Sequence, residues 1–201
     1  MKARITTSRR TLLAAATLAL ATASHAAIVI TFQQVGGNIV ETGSGSANLT
    51  ALSLPTATNF RGLVSPTFPE AAVGSSGATA VTTYSGISGP SNFGSGSLTL
   101  ASSGTGSTFG FQSNLLVVPL GYVSGTSLSG SSTFNGATFA SLGILAGIYT
   151  WTWGAGATAD SLTVNAIAAV PEPGSALAGM LALGACATGL IRRNRQSSVR
   201  Q

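Results

Sequence analysis

An all-β fold, a single antiparallel β-sandwich of jelly-roll-like type over residues 27–169, is predicted by three observations. Between Ala27 and Ala169 the chain is rich in Thr, Ser, Gly and Val and holds two Glu and no Lys, so strand formers far outweigh helix formers. Short apolar runs alternate with polar residues at the two-residue period of a half-buried strand. Clusters of Gly, Ser and Asn punctuate those runs where turns are needed. Roughly 145 residues are enough to enclose one hydrophobic core.

The elements follow in chain order. Ile28, Ile30 and Phe32 share one face of a first strand, and Gly36-Gly37 makes a two-residue turn into the next strand from Asn38, a hairpin signature. Residues 53–96 carry Pro55, Pro66, Pro69 and Pro90 among many Gly and Ser. They leave room for short strands and long loops but no clear period, so an irregular part of the same domain is expected, with Phe60, Phe68, Tyr84 and Phe93 to bury, and disorder of this low-complexity stretch stays open beside it. Leu98 and Leu100 alternate with Ser97 and Thr99, and after a turn at residues 103–106 a second run carries Phe109 and Phe111. Leu115, Leu116, Val117 and Val118 are apolar on both faces, which suits a central strand. Residues 139–146 allow one or two helical turns. Residues 147–153 and 161–167 flank a Gly/Ala/Thr loop and form a final hairpin. No repeat of fixed length appears, which argues against a solenoid or propeller.

Both ends read as targeting segments. Lys2, Arg4, Arg9 and Arg10 form a positive stretch, Leu12 to Ala23 an apolar one, and Ser24-His25-Ala26 offers small residues for cleavage between Ala26 and Ala27. Residues 1–26 are therefore expected to be a signal peptide. Ser8-Arg9-Arg10-Thr11-Leu12-Leu13 resembles a twin-arginine export motif, and the general secretory route stays open beside it. At the other end stand Val170, Pro171, Glu172 and Pro173, then an uncharged run of residues 175–191, then Arg192, Arg193 and Arg195. Seventeen residues at about 1.5 Å each give a helix roughly 25 Å long, at the short end of what spans a hydrocarbon core. The arginines of the basic tail, residues 192–201, favour a cytoplasmic C-terminus and place the domain outside. Pro171 and Pro173 hold the motif extended, a stiff strip that an enzyme can read as a peptide.

Residues 170–195, in that order of motif, span and arginines, resemble the PEP-CTERM sorting signal. The resemblance implies recognition of the Pro-Glu-Pro motif by an exosortase, a membrane-embedded cysteine-protease-like transpeptidase, and passage through the inner membrane of a Gram-negative bacterium to the cell surface or beyond. The same tail is also labelled an ice-binding protein C-terminal motif. That label concerns the tail, and the threonines of the domain, such as Thr56, Thr58, Thr82 and Thr83, show no fixed spacing along the chain.

Charge and reactive residues narrow the chemistry. The formal charge is +5 and the pI near 10.4, yet eight of the nine basic residues lie at the two ends. The domain between holds Arg61 against Glu41, Glu70 and Asp160, a formal charge of −2. Nucleic-acid binding, which needs clustered cations to replace counterions, is excluded. His25, the one histidine, belongs to the signal segment, and Cys186, the one cysteine, to the apolar run. The domain has neither, so it can form no internal disulfide and no His/Cys zinc site. Three scattered carboxylates could meet in the fold as a glycosidase pair or part of a calcium site, yet none sits in a spaced acidic motif, and no G-x-S-x-G elbow or histidine base serves the many serines. Gly-rich residues 43–46 and 104–107 lack a P-loop lysine and read as turns. No metal, cofactor or catalytic residue is expected.

Two functional classes lead, with a small hydrolase a distant third. One is a non-enzymatic surface or extracellular-matrix protein, exported, tethered and processed by an exosortase. The other is a carbohydrate-binding module for exopolysaccharide that uses Tyr149, Trp151 and Trp153, which project from one face of a strand. Such a row can stack on sugars, but each ring buries about 150 to 250 Å², and a sandwich poor in large side chains needs them inside. Asp160, just before the last strand, reads as a turn acceptor.

Overall fold

The computed structural model describes residues 27–167. The expected signal segment and sorting motif, and the apolar run with its arginines, lie outside the described residues. Thirteen strands form two sheets, and one continuous core lies between them. The domain is all-β and sandwich-like. Among the described residues no helix is long and apolar enough to cross a membrane.

The first sheet begins with the predicted hairpin. Strand β1 (Ala27–Val35) turns at Gly36, whose φ is 57°, into β2 (Asn38–Gly45), with Val35 opposite Asn38. Ile28, Ile30 and Phe32 all point inward and are fully buried. Beyond β2 lie β11 (Leu128–Phe134) and the edge strand β8 (Ser103–Gly106). On the other side of β1 lie β13 (Asp160–Ile167) and the edge strand β12 (Gly147–Trp153), the predicted final hairpin. One ladder corrects the antiparallel expectation: β1 and β13 run parallel, from Ala27 beside Ser161 to Gln33 beside Ile167. Alternation reveals which face of a strand is apolar and says nothing of its direction. A pair joined by almost the whole domain has no tight turn to impose an antiparallel course.

The second sheet contains much of the stretch expected to be irregular. It runs β3 (Ser53–Phe60), β6 (Thr79–Ser85), β10 (Leu115–Pro119), β9 (Phe109–Gln112), β5 (Glu70–Val73), β4 (Leu63–Ser65) and β7 (Thr99–Leu100). Strand β10 has neighbours on both sides, and Leu116, Val117 and Val118 are buried on both of its faces, as the apolar run predicts. The edge strand β3 holds Pro55 and a register shift between Ser53 and Thr56, features that blunt pairing with another chain. Irregular backbone is confined to loops such as residues 86–98, anchored by the fully buried Phe93.

Four further expectations change. Residues 103–106 form β8, paired to β11, instead of a turn between Leu100 and Phe109. Leu98 and Leu100 are exposed, since β7 is a two-residue strand at the sheet edge. Gly43 and Gly45 lie within β2. Gly43 faces the core, where an added Cβ would stand 2.8 Å from Phe109 and Val73 side-chain atoms. Its lack of a side chain is a packing device here, which composition alone reads as a turn. Phe68, expected in the core, is half exposed. The predicted helical segment is a single turn, α1 (Phe139–Leu142), closed by a reciprocal cap between Thr138 and Ser141.

Candidate functional site

The aromatic row is resolved by the alternation of β12. Ile148, Thr150 and Thr152 face outward, and Trp151 and Trp153 are 1% and 4% exposed. Trp151 lies 4.0 Å from the Phe111 ring centroid and meets Phe93 edge-on at 6.4 Å. The indole N–H of Trp153 donates to the Asn48 carbonyl at 2.8 Å, which satisfies its polar edge inside the core. Tyr149 is partly buried, 5.9 Å from Phe93, and its hydroxyl donates to the Leu145 carbonyl. A ring enclosed this way has no free face for a sugar. Trp151 and Trp153 are core side chains, as the scarcity of large side chains predicts, and the alternative of a glycan platform on this row has no exposed ring to use.

All three carboxylates of the domain are buried, each in a different setting. Glu41 points inward from β2, opposite Phe32 on β1 and Ser132 on β11, and neither carboxyl oxygen has a hydrogen-bond partner. Burial pushes its pKa well above the usual carboxylate range. Glu70 Oε1 accepts from Gln112 Nε2 at 2.7 Å; burial raises its pKa, and that bond partly opposes the rise. Asp160 is more than a turn acceptor. Its Oδ1 accepts from the Ser161 N–H at 2.7 Å, and its Oδ2 accepts from the Asn48 N–H at 2.6 Å, across the fold. Among the described residues no three His, Cys, Asp or Glu side chains converge on a metal position.

The surface that results is almost free of charge, and two features stand out on it. Across the outer face of the first sheet, Ile148, Asn165, Thr31, Thr42, Ser131 and Thr105 occupy one row in register through all six strands. A shallow trough of about 390 Å³ overlies its Thr31, Thr42, Ser131 and Thr105 portion. Linear spacing hides this row, because its members come from strands far apart in the chain.

The second feature is a cleft of about 350 Å³ where loops meet at one end of the sandwich. Phe68 lines it, half exposed, with Ser88, Ser91, Ser113 and Asn114, and Trp151 contributes the buried wall. Its loops are tied together by backbone bonds: the Ser113 N–H donates to Pro69 O at 2.7 Å, and the Asn114 carbonyl accepts from Gly86 and Ile87. Ser88 and Thr152 exchange both their backbone bonds, at 2.9 and 2.8 Å. Gly89 lies flat on the Trp151 indole, where an added Cβ would stand 2.5 Å from Cδ1. Ser113 itself takes a left-handed φ of 56°, a strained conformation for a non-glycine residue. Phe68 and Trp151 are the aromatic lining residues that the sequence singles out, both expected in the core. Assignment to the core concealed the cleft.

The residues of the expected sorting motif and basic stop, Val170, Pro171, Glu172, Pro173, Arg192, Arg193 and Arg195, and Ala26 at the expected cleavage position, lie outside the described residues; Ala27 is the exposed first residue of β1. No protein-family model, no curated protein and no solved structure matches the chain.

Proposed function

We propose that the chain is a non-enzymatic exported surface or extracellular-matrix protein, carried by a signal helix over residues 1–26 and tethered by an apolar helix over residues 175–191. The observation that carries this reading is the order of the tail: Val170-Pro171-Glu172-Pro173, an uncharged membrane-length run, then Arg192, Arg193 and Arg195. An exosortase-like transpeptidase is the proposed partner, acting at the inner membrane. The domain supports a structural role in its own way. Glu70 and Asp160 are engaged in holding strands and loops, and Glu41 is sealed in the core. A face of hydroxyl and amide groups with almost no charge suits close packing in a hydrated matrix.

Sorting is tested in the native host. Glu172→Ala, and more strongly deletion of Pro171 to Pro173, should leave an uncleaved form in the inner membrane, held there by the helix. A mutant processed and released like the wild type would reduce the motif to a linker. The second reading, a carbohydrate-binding module, loses the aromatic row as its platform. It keeps one structural support, the charge-free cleft beside Phe68.

A further inference from the structure

We infer that the cleft around Phe68 is a binding site for a neutral sugar ring, an inference that rests on the domain being exported to a carbohydrate-bearing surface. Half-exposed Phe68 offers an apolar ring on the cleft wall, of the kind that packs against the C–H face of a pyranose. The polar groups beside it are hydroxyls and one amide. The side chains of Ser91, Ser113 and Asn114 form no hydrogen bond among the described residues, so their donors and acceptors are open to a ligand. A pocket of about 350 Å³ with a few convergent polar groups on apolar walls has the proportions of a small-ligand site.

The chemistry of the lining selects against other ligands. Among the described residues no ionisable side chain lines the cleft, so an ionised ligand would lose hydration with no countercharge from them to replace it. A peptide would need free backbone groups on the walls to extend a sheet. Here Ser88 already exchanges both of its backbone bonds with Thr152, the Ser113 N–H is held by Pro69, and Pro69 and Pro90 have no N–H to give. Side-chain hydroxyls remain, which suit a ligand made of hydroxyls. The site is also preformed, since those same bonds fix the loops before any ligand arrives, and little ordering cost attends binding.

Its position fits a tethered protein. Thr152 pairs with Ser161, and Ser161 with Ala27, so the cleft sits by that end of the first sheet. Ile167, which leads to the tail, lies six residues along β13, about 20 Å away at the rise of a strand. The cleft thus stands at the opposite end of the first sheet from Ile167, the last described residue.

The test is calorimetric titration of the purified full-length protein in detergent with short gluco-, manno- and N-acetylglucosamine oligosaccharides, alongside acidic uronate oligomers and a proline-rich peptide. At least one neutral series should bind, and should alter the emission of Trp151 at the cleft wall. Phe68→Ala should weaken that binding about tenfold or more with an unchanged melting temperature, because its ring contributes little to the core; Phe68→Tyr should restore it. No response to any neutral series, a response to the acidic oligomers or the peptide alone, or Phe68→Ala binding like the wild type would overturn the inference. A chain that sorts correctly in the host yet ignores every neutral sugar sinks this site and leaves the surface role standing. A chain that binds sugar but is not sorted does the reverse.

Discussion

Glu41 is a buried carboxyl with neither an ion partner nor a hydrogen bond. In the folded chain it holds its proton to a higher pH than in the unfolded chain, where a Glu titrates near about 4.3. Stability from this residue is therefore complete below about pH 4 and falls as pH rises toward the folded pKa, by about 1.4 kcal/mol per pH unit in that window. Glu70, also raised, contributes with the same sign. Glu41→Gln should match the wild type near pH 4 and become progressively more stable relative to it toward neutral pH, as read by denaturant unfolding at several pH values. A gap that does not change with pH would refute a neutral buried Glu41. Trp151 makes the contrasting case, since its place in the core was legible: alternation put it on one face, and the scarcity of large side chains put that face inside. Trp151→Ala should cost about 3 to 5 kcal/mol, and the emission of the two buried tryptophans should be blue-shifted and resist acrylamide. Red-shifted, freely quenched emission from a folded chain would contradict the packing. The burial of Glu41 had no comparable signal, because Ile39, Glu41 and Gly43 in sequence do not declare which face they share.

Strands were readable wherever they carried their own period. The β1–β2 hairpin, the β12–β13 hairpin and the central β10 follow from alternation, a Gly-Gly turn and a two-sided apolar run. Strand β8 was not, since Ser, Gly and Thr compose turns and edge strands alike; its identity comes from pairing with β11. The tie between the β13 start and the loop after β2 was equally hidden. Asp160 accepts the Asn48 N–H while the Asn48 carbonyl accepts from Trp153, so the last hairpin clamps that loop from two sides. Asp160→Ala should cost about 1 to 3 kcal/mol, the loss of the two hydrogen bonds it accepts from the part-buried Asn48 and Ser161 N–H groups, and should speed hydrogen exchange at the Asn48 amide ahead of the strand amides. Unchanged exchange at Asn48 would show that the loop is held by other contacts.

For the molecule as a whole, stability rests on one apolar core and two sheets. Among the described residues Phe32, Phe93, Phe109, Phe111, Phe134 and Trp151 are the largest fully buried side chains, and no cluster of His, Cys, Asp or Glu there could hold a metal. Thermal unfolding of the full chain should be indifferent to reductant and to chelator, and a midpoint that drops sharply with either would mean that a bond or ion outside this account holds the fold.

The all-β class, the charge-poor domain between two basic ends, the inward face of β1 and the central place of β10 were set by composition and short-range periodicity, which every residue carries locally. The parallel pairing of β1 with β13, the hydroxyl row from Thr31 to Thr105, the sealing of Glu41 and the cleft that exposes Phe68 arise only when segments distant in the chain come into register. Local patterns state what each side chain prefers. Which neighbours it meets is a matter of long-range packing, where loop closure, shape and the satisfaction of buried polar groups decide among arrangements that the patterns leave equal.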